Sequence, residues 1–280
     1  LKKLYGVIGD PIAHSLSPAM HNAELKELNI DAYYHPFHIY EKDLKTAVEG
    51  MKVIGVDGFN ITVPHKTAII PFLDRVDPLA KAIGAVNTVV KEDGQFVGYN
   101  TDGAGFVESL KEVWKEDLTN EKTLIIGAGG AAKAIYYTLL SIGVRQVDIC
   151  NRTIQKAEAL IATQPYDADS KVLTMEEAES NIGEYSLVIQ TTSIGMDPDI
   201  DQSPLSLRNL NPSAFVSDII YNPKETMLLK QAAEQGAKTQ NGLGMLVYQG
   251  ALAFEKWTNK KPDARRMKQT VTNFLGGTPC

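Results

Sequence analysis

A lysine in the first turn of a helix faces the positive end of the helix dipole, which works against its ammonium. Lys66 has that position in Asn60-Ile61-Thr62-Val63-Pro64-His65-Lys66. The segment reads as a strand with Asn60 and Thr62 on one face, ending where Val63-Pro64 starts a helix. Such a lysine calls for a functional reason or a nearby carboxylate. Asp102, in Asn100-Thr101-Asp102-Gly103 at the end of another strand, is the candidate. Strand C-terminal ends in α/β sheets cluster around one cleft. Spacing alone does not bring the two together, and a solvated surface lysine is the plain alternative. His65 is the second choice as proton carrier.

A different chemistry is written in Thr123–Thr153, TLIIGAGGAAKAIYYTLLSIGVRQVDICNRT. An apolar β-branched run leads without a linker into Gly127-Ala128-Gly129-Gly130-Ala131-Ala132, the pattern of a dinucleotide site. Gly127 makes the tight turn, Gly129 admits a pyrophosphate against the backbone, and Ala132 lets helix and strand pack closely. The phosphates then rest on a helix N-terminus, whose free N–H groups and dipole favour an anion. An NAD site usually ends its second strand with an acidic residue for the ribose 2′-hydroxyl. Here Asn151-Arg152-Thr153 stands instead, with Lys156 one turn on. A guanidinium pairs with a 2′-phosphate and stacks on adenine, so the cofactor expected is NADP. The bland alternative makes Thr153 an N-cap and Arg152 a solvated residue. Asp148 lies inside the strand and does not restore an NAD reading.

Ser15-Leu16-Ser17 lies between the first strand and a proline-started helix, so both hydroxyls can point from a loop over a helix N-terminus, which suits a carboxylate. Ser17 can equally be the cap of the helix beginning at Pro18. The five histidines show no i,i+4 pair on a helix and no cysteine nearby, so no metal site is predicted.

The elements that must position these residues alternate as in an α/β protein. Strands are predicted at Leu4–Ile8, Ala32–His38 and Gly58–Thr62, with helices over Pro18–Leu28, Leu44–Lys52, from Pro64, and Pro78–Ile83. Val86–Val90 and Phe96–Tyr99 flank Asp93-Gly94, a type I′ hairpin signal. A helix from Asp102 to Trp114 leads into the second domain. There the chain reads as strand, helix, strand Val144–Cys150, helix, strand Ser186–Gln190, a loop or short helix over Ser203–Asn211, strand Phe215–Ile220, helix Glu225–Gln235 and strand Lys238–Gln240. Gly242-Leu243-Gly244 opens an apolar helix to Trp257, and Asp263–Leu275 forms a final amphipathic helix. The fold class expected is two-domain α/β. Residues 1–103 form a substrate domain, onto which the C-terminal helical part, about 244–280, packs back. Residues 104–243 form a Rossmann-type doubly wound dinucleotide-binding domain, with the active site in the cleft between the two.

Composition narrows the partners. The chain has 280 residues, 44% apolar and 22% charged, with net charge −6, the profile of a globular protein that repels nucleic acid and anionic membrane surfaces. A small-molecule substrate is expected, handled by a monomer or homodimer. Two cysteines, Cys150 and Cys280, supply no disulfide framework and fit a reducing cytoplasm. Lys2-Lys3 precedes an apolar stretch broken by Gly6 and Gly9, too short for a signal peptide. The tail Gly276–Cys280 reads as dispensable.

Taken together, the motifs resemble those of the shikimate dehydrogenase family over essentially the whole chain. They are Gly9-Asp10-Pro11-Ile12-Ala13-His14-Ser15-Leu16-Ser17-Pro18, Asn60 to Lys66, Gly84-Ala85-Val86-Asn87-Thr88, Gly98-Tyr99-Asn100-Thr101-Asp102-Gly103, Gly127 to Ala132 and Asn151-Arg152-Thr153, continuing through Thr192-Ser193-Ile194-Gly195-Met196, Asp218-Ile219-Ile220-Tyr221-Asn222-Pro223 and Asn241 to Gln249. The resemblance implies reversible reduction of 3-dehydroshikimate to shikimate by NADPH, in the pathway to chorismate and the aromatic amino acids. It implies that Ser15 and Ser17 hold the substrate carboxylate, and that Thr62, Asn87, Asp102, Tyr221 and Gln249 bond its hydroxyls and carboxylate. Asn60 joins them from the strand face it shares with Thr62, and Lys66 is the implied acid or base. Gly127, Ala128, Gly129, Gly130 and Ala131 with Asn151, Arg152, Thr153 and Lys156 are implied to bind NADP, with Ile219, Gly242 and Met245 at the nicotinamide end and Asp77 at the cleft edge. A quinate-using relative, an amino-acid dehydrogenase and a silent dinucleotide sensor are the alternatives. Lys66 and Asp102 together argue against the sensor, which needs no proton-transfer group.

Overall fold

The computed structural model describes residues 2–115 and 117–276; Cys280 and the rest of the tail after Gly276 lie outside the described residues. The chain divides into two units, Leu1–Gly105 with Val247–Cys280, and Phe106–Leu246. The first begins β1 (Lys3–Gly9), α1 (Ser17–Glu27), β2 (Ala32–His38), α2 (Leu44–Ile54), β3 (Gly58–Ile61), α3 (His65–Ala68), β4 (Arg75–Val76), α4 (Pro78–Ile83), β5 (Thr88–Glu92) and β6 (Gln95–Tyr99), and α5 (Asp102–Val113) starts in it and continues into the second. Its sheet has the order β2-β1-β3-β5-β6-β4. β1 runs parallel to β2 and β3, whereas β5 is antiparallel to β3 and β6. Successive side chains of a strand point to opposite faces, so β1 is buried on both. Tyr5 and Val7 pack with Leu25, Tyr34 and Phe254; Leu4 and Ile8 pack with Leu44, Val48 and Met51. The hairpin turn is as expected, with Asp93 at φ 50 and Gly94 at φ 81. Both values lie where a type I′ turn requires them.

The second unit continues with β7 (Thr123–Ile126), α6 (Gly130–Ser141), β8 (Val147–Cys150), α7 (Ile154–Ala162), β9 (Val172–Leu173), α8 (Met175–Ser180), β10 (Leu187–Gln190), β11 (Phe215–Asp218), α9 (Met227–Glu234) and β12 (Lys238–Gln240). Every ladder is parallel, in the order β12-β11-β10-β7-β8-β9. Counted within the unit this is the doubly wound order 3-2-1-4-5-6, whose direction reverses between β7 and β10. β8 starts later than predicted because Val144 belongs to the end of α6. Gly143 sits at φ 100, and Val144 N–H bonds the Leu139 carbonyl at 3.1 Å, a Schellman-type stop. Sequence reading missed β9 and α8, although α8 opens on a capping box. The Thr174 hydroxyl accepts from Glu177 N–H at 3.1 Å, and the Glu177 carboxylate from Thr174 N–H at 2.8 Å. The Thr-x-x-Glu signature was there to be read.

The chain closes with α10 (Leu243–Thr258) and α11 (Ala264–Gly276). α11 seats on α1 through a buried carboxylate. Glu24, 0% exposed, accepts from Arg266 Nε and Nη2 at 2.9 and 3.0 Å and from Asp263 N–H at 2.8 Å. A carboxylate this buried is tolerable only with its donors in place. Among the described residues no helix is long and apolar enough to cross a membrane.

Candidate active site

The first unit brings Lys66 and Asp102 together: Lys66 Nζ donates to Asp102 Oδ2 at 2.7 Å. Lys66 stands in α3, a helix of four residues anchored on both sides of it. Val86 N–H bonds the Lys66 carbonyl at 2.8 Å, and the buried ring of His65 bonds the Ile39 carbonyl through Nε2 at 2.7 Å. His65 is thereby an anchor, 0% exposed, and is closed to the role of proton carrier. Asp102 opens α5, where the helix dipole favours an anion. Its own N–H bonds Asn100 Oδ1 at 3.0 Å, and Asn100 Nδ2 is tied to the Ala85 carbonyl at 3.0 Å.

A buried amide network holds the other oxygen of Asp102. Asn87, 2% exposed, donates through Nδ2 to Asp102 Oδ1 at 2.8 Å, to Thr101 Oγ1 at 2.9 Å and to Gln249 Oε1 at 3.3 Å. Its Oδ1 accepts from Thr101 N–H at 2.7 Å and from the Thr88 hydroxyl at 3.0 Å. Asn60 donates to the Asn87 carbonyl and Thr88 Oγ1, both at 3.1 Å, while its Oδ1 accepts from the Tyr34 hydroxyl at 2.7 Å. Both amide protons of Asn60 are therefore committed inside the protein, and one lone pair remains for a ligand. Thr62 is half-buried just beyond β3.

Ser15 and Ser17 are half-buried. Ser17 is a residue of α1 rather than its cap; Leu16 is the N-cap, without a side-chain bond. The Ser15 oxygen accepts the Ser17 N–H at 3.3 Å, which leaves its hydroxyl proton free to donate. Sequence reading missed Tyr34, Thr88 and Thr101. Tyr34 looked like one more strand aromatic. What marks it is Asn22 of α1, which clasps its backbone with bonds of 2.8 and 2.9 Å, a tertiary contact with no local signal. Asp77 has a role that needs no ligand: it is the N-cap of α4, accepting from Leu79 and Ala80 N–H at 3.0 and 3.4 Å.

In the second unit, Gly127 follows β7 at φ 112, a conformation that favours glycine, and a Cβ there would run into Thr191 and Thr192 beyond β10. The glycine turn thus lies at the reversal of strand order, where doubly wound sheets take their ligands. Gly129 is different. Its backbone is extended (φ −87, ψ −171), open to any residue, and a Cβ on Gly129 or Gly130 would meet nothing within 4 Å. The open space faces the N-terminus of α6, which has no side-chain cap. An uncapped helix N-terminus behind an open glycine turn is the chemistry a pyrophosphate needs, so the residues present are compatible with NADP. Ala128 and Ala131 are half-buried beside it, and Ala132 is fully buried.

After β8, Arg152, Thr153 and Lys156 are exposed and Asn151 is half-exposed, its Nδ2 bonding the Thr153 carbonyl at 2.7 Å. Thr153 stands at the N-cap of α7, but its side chain caps nothing. Asp148 is internal to β8, accepting from the Tyr185 hydroxyl at 2.7 Å and Lys171 N–H at 2.9 Å. At the ends of β11 and β12, Gly242 N–H bonds the Ile220 carbonyl at 2.9 Å, and a Cβ on Gly242 would overlap the Ile219 carbonyl. Ile219, Met245 and Tyr221 are half-buried, and burial pushes the Tyr221 phenol up.

Asp218, the last residue of β11, is 1% exposed. Burial raises its carboxyl from 3.8 to about 6, against the lowering effect of bonds from Ile220 N–H and the Thr226 hydroxyl. A carboxyl whose folded value is raised contributes stability that is complete below its unfolded value and is lost as pH rises through the folded one. The wild type should therefore lose this increment between about pH 4 and 6. Asp218→Asn should flatten that part of the melting-temperature profile; an unchanged slope would show that the carboxyl titrates as in the unfolded chain.

Comparisons with known proteins identify the family. Residues 7–89 match the shikimate dehydrogenase substrate binding domain, 109–206 shikimate / quinate 5-dehydrogenase, and 242–272 the shikimate 5′-dehydrogenase C-terminal domain. The shikimate dehydrogenase (NADP(+)) of Bacillus cereus (strain B4264) is 53% identical over 277 residues, covering 99% of this chain and 100% of the relative. Among solved structures, shikimate 5-dehydrogenase from Listeria monocytogenes in complex with shikimate and NAD is 39% identical with TM-score 0.92, over 96% of each chain. That from Thermus thermophilus in complex with NADP(H) and shikimate is 35% identical with TM-score 0.88, over 97% of this chain and 99% of the other. With matches of this identity along its whole length, the chain belongs to the shikimate dehydrogenase family.

Proposed function

We propose that Lys66 and Asp102 carry the proton transfer of a reversible, NADPH-dependent reduction of 3-dehydroshikimate to shikimate. The chain is an NADP-dependent oxidoreductase acting on a CH–OH group in the shikimate pathway, which leads to chorismate and the aromatic amino acids. The observation that carries the assignment of roles is the 2.7 Å bond from Lys66 Nζ to Asp102 Oδ2, with Asn87 on the other carboxylate oxygen. When bound, the nicotinamide supplies or accepts the hydride. Lys66 takes the hydroxyl proton as its carbon loses hydride; in reduction its ammonium donates to the ketone oxygen as negative charge develops there. Asp102 orients the amine and shares a hydrogen bond with the same oxygen. Thr62, Gln249 and Tyr221 bond the remaining polar groups of the substrate, Asn87 reaches it by exchanging one of the internal donations of its amide, and Asn60 offers its one remaining lone pair. Gly127–Ala131 and the N-terminus of α6 would hold the pyrophosphate of NADP, Arg152 and Lys156 its 2′-phosphate, and Ile219, Gly242 and Met245 its nicotinamide.

The test is an initial-rate assay of NADP⁺ reduction with shikimate, run beside quinate and beside NAD⁺. Shikimate with NADP⁺ should give the highest kcat/KM, and a higher value with quinate would overturn the assignment. Ser15 and Ser17 are read as donors to a carboxylate that takes no part in the chemistry. Each serine-to-alanine change should raise KM for shikimate roughly tenfold or more, the worth of a hydrogen bond to a charged group, with kcat little changed. A large fall in kcat at constant KM in both variants would place them in the chemistry instead. A net charge of −6 supports a small-molecule substrate over a polyanion. A cytoplasmic monomer or homodimer completes the reading, and sedimentation equilibrium would expose any larger assembly.

A further inference from the structure

Asp218 has no cationic partner among the described residues, and an unpaired buried carboxylate is costly. What holds it are two donors, Ile220 N–H at 2.9 Å on Oδ1 and the Thr226 hydroxyl at 2.8 Å on Oδ2. These stand near the two ends of the segment from Ile219 to Thr226, so a single side chain closes that loop. The far end is firm: Thr226 is 1% exposed and caps α9 by accepting Leu229 N–H at 3.4 Å. The middle is held as well, since Asn241 Nδ2 bonds the Lys224 carbonyl at 2.8 Å. At Ile219 the approach of Gly242 leaves no room for a Cβ.

We propose that Asp218 is a positioning residue for the reduction: by closing the Ile219–Thr226 loop it fixes the Ile219 wall against which the nicotinamide must lie to exchange hydride. This rests on the reading of Ile219 as part of the NADP site. Asp218 is 1% exposed, so the role assigned to it is exerted through the loop and not by contact with a ligand. Its effect should fall on the geometry of hydride transfer and not on cofactor affinity, which the pyrophosphate cradle and Arg152 supply elsewhere. A misplacement of about 1 Å at a reacting centre costs roughly a hundredfold in rate.

The experiment compares Asp218→Ala, Asp218→Asn, Thr226→Val and Thr226→Ser for kcat, for KM with NADP⁺, and for the rate of tryptic cleavage after the exposed Lys224. Asp218→Ala and Thr226→Val should lower kcat at least about tenfold with KM for NADP⁺ within about twofold, and should speed cleavage after Lys224. Asp218→Asn and Thr226→Ser, which can still bridge the loop, should restore kcat and resistance to cleavage. If Asp218→Ala does not fold, Thr226→Val against Thr226→Ser decides alone. A lowered melting temperature with unchanged kcat in Thr226→Val would reduce Asp218 to a structural role and overturn the proposal. So would failure of Asp218→Asn to rescue, which would mean that charge and not the bridge is needed. Should the wild type reduce no NADP⁺ with shikimate, the functional reading fails; the cleavage arm still reports separately whether Asp218 closes the loop.

Discussion

Lys66→Ala is expected to lower kcat at least about a hundredfold while KM for shikimate rises little, because general acid–base catalysis contributes ~10² to 10⁴ in rate. The amine can do this work because its position is set from below and from the side. The Val86 N–H fixes the Lys66 backbone, and Asp102 fixes the side-chain nitrogen at 2.7 Å. Lys66→Arg should not restore turnover, since a guanidinium keeps its charge but does not give up its proton. Asp102→Ala should damage both kcat and KM, as a residue that orients the amine and meets the substrate. Measuring kcat against pH for the wild type and Lys66→Ala decides the matter: near wild-type turnover in the variant would exclude Lys66. His65 is not the fallback, since its ring is 0% exposed and turned to the Ile39 carbonyl; the proton would then pass to water.

Arg152→Ala should weaken NADP far more than NAD, by roughly ten- to a hundredfold, the worth of about 1.5 to 3 kcal/mol for a bond between charged groups. Only NADP has the 2′-phosphate that the guanidinium would meet. The structure leaves Arg152 exposed at the end of β8 and without an ion pair among the described residues, so no internal partner competes for it. In position the plain alternative holds too, since Thr153 is the N-cap of α7, although its side chain makes no capping bond; the cofactor measurement separates the two. Dissociation constants for both cofactors, measured by quenching or calorimetry at fixed ionic strength, provide the check. Equal losses for NADP and NAD would sink the phosphate-pairing argument, and a loss that vanishes in modest salt would reduce Arg152 to a diffuse surface charge.

Sequence by itself determined whatever depends on local rules. The order of strands and helices, the Asp93-Gly94 turn and the glycine turn after β7 follow from hydrophobic period and from the few residues that accept unusual backbone angles. The same rules explain the boundary errors, as at Val144, where the apolar residue that ends a helix looks identical to one that begins a strand. The roles proposed for Lys66, Asp102 and Arg152 start from the sequence because a charge in an awkward place, or the absence of an expected one, is a feature of type and position. What only the tertiary structure decided is who meets whom. The Lys66–Asp102 pair and its supporting amides come from segments far apart in the chain. Asn60 looked like a ligand residue by face and type, yet its protons are consumed by Asn87 and Thr88. Tyr34 gave no local signal, and His65 stood as second choice for proton carrier until its burial was seen. Hydrogen-bond saturation is a property of a residue's surroundings, and those surroundings exist only once the sheet has brought strands remote in sequence side by side.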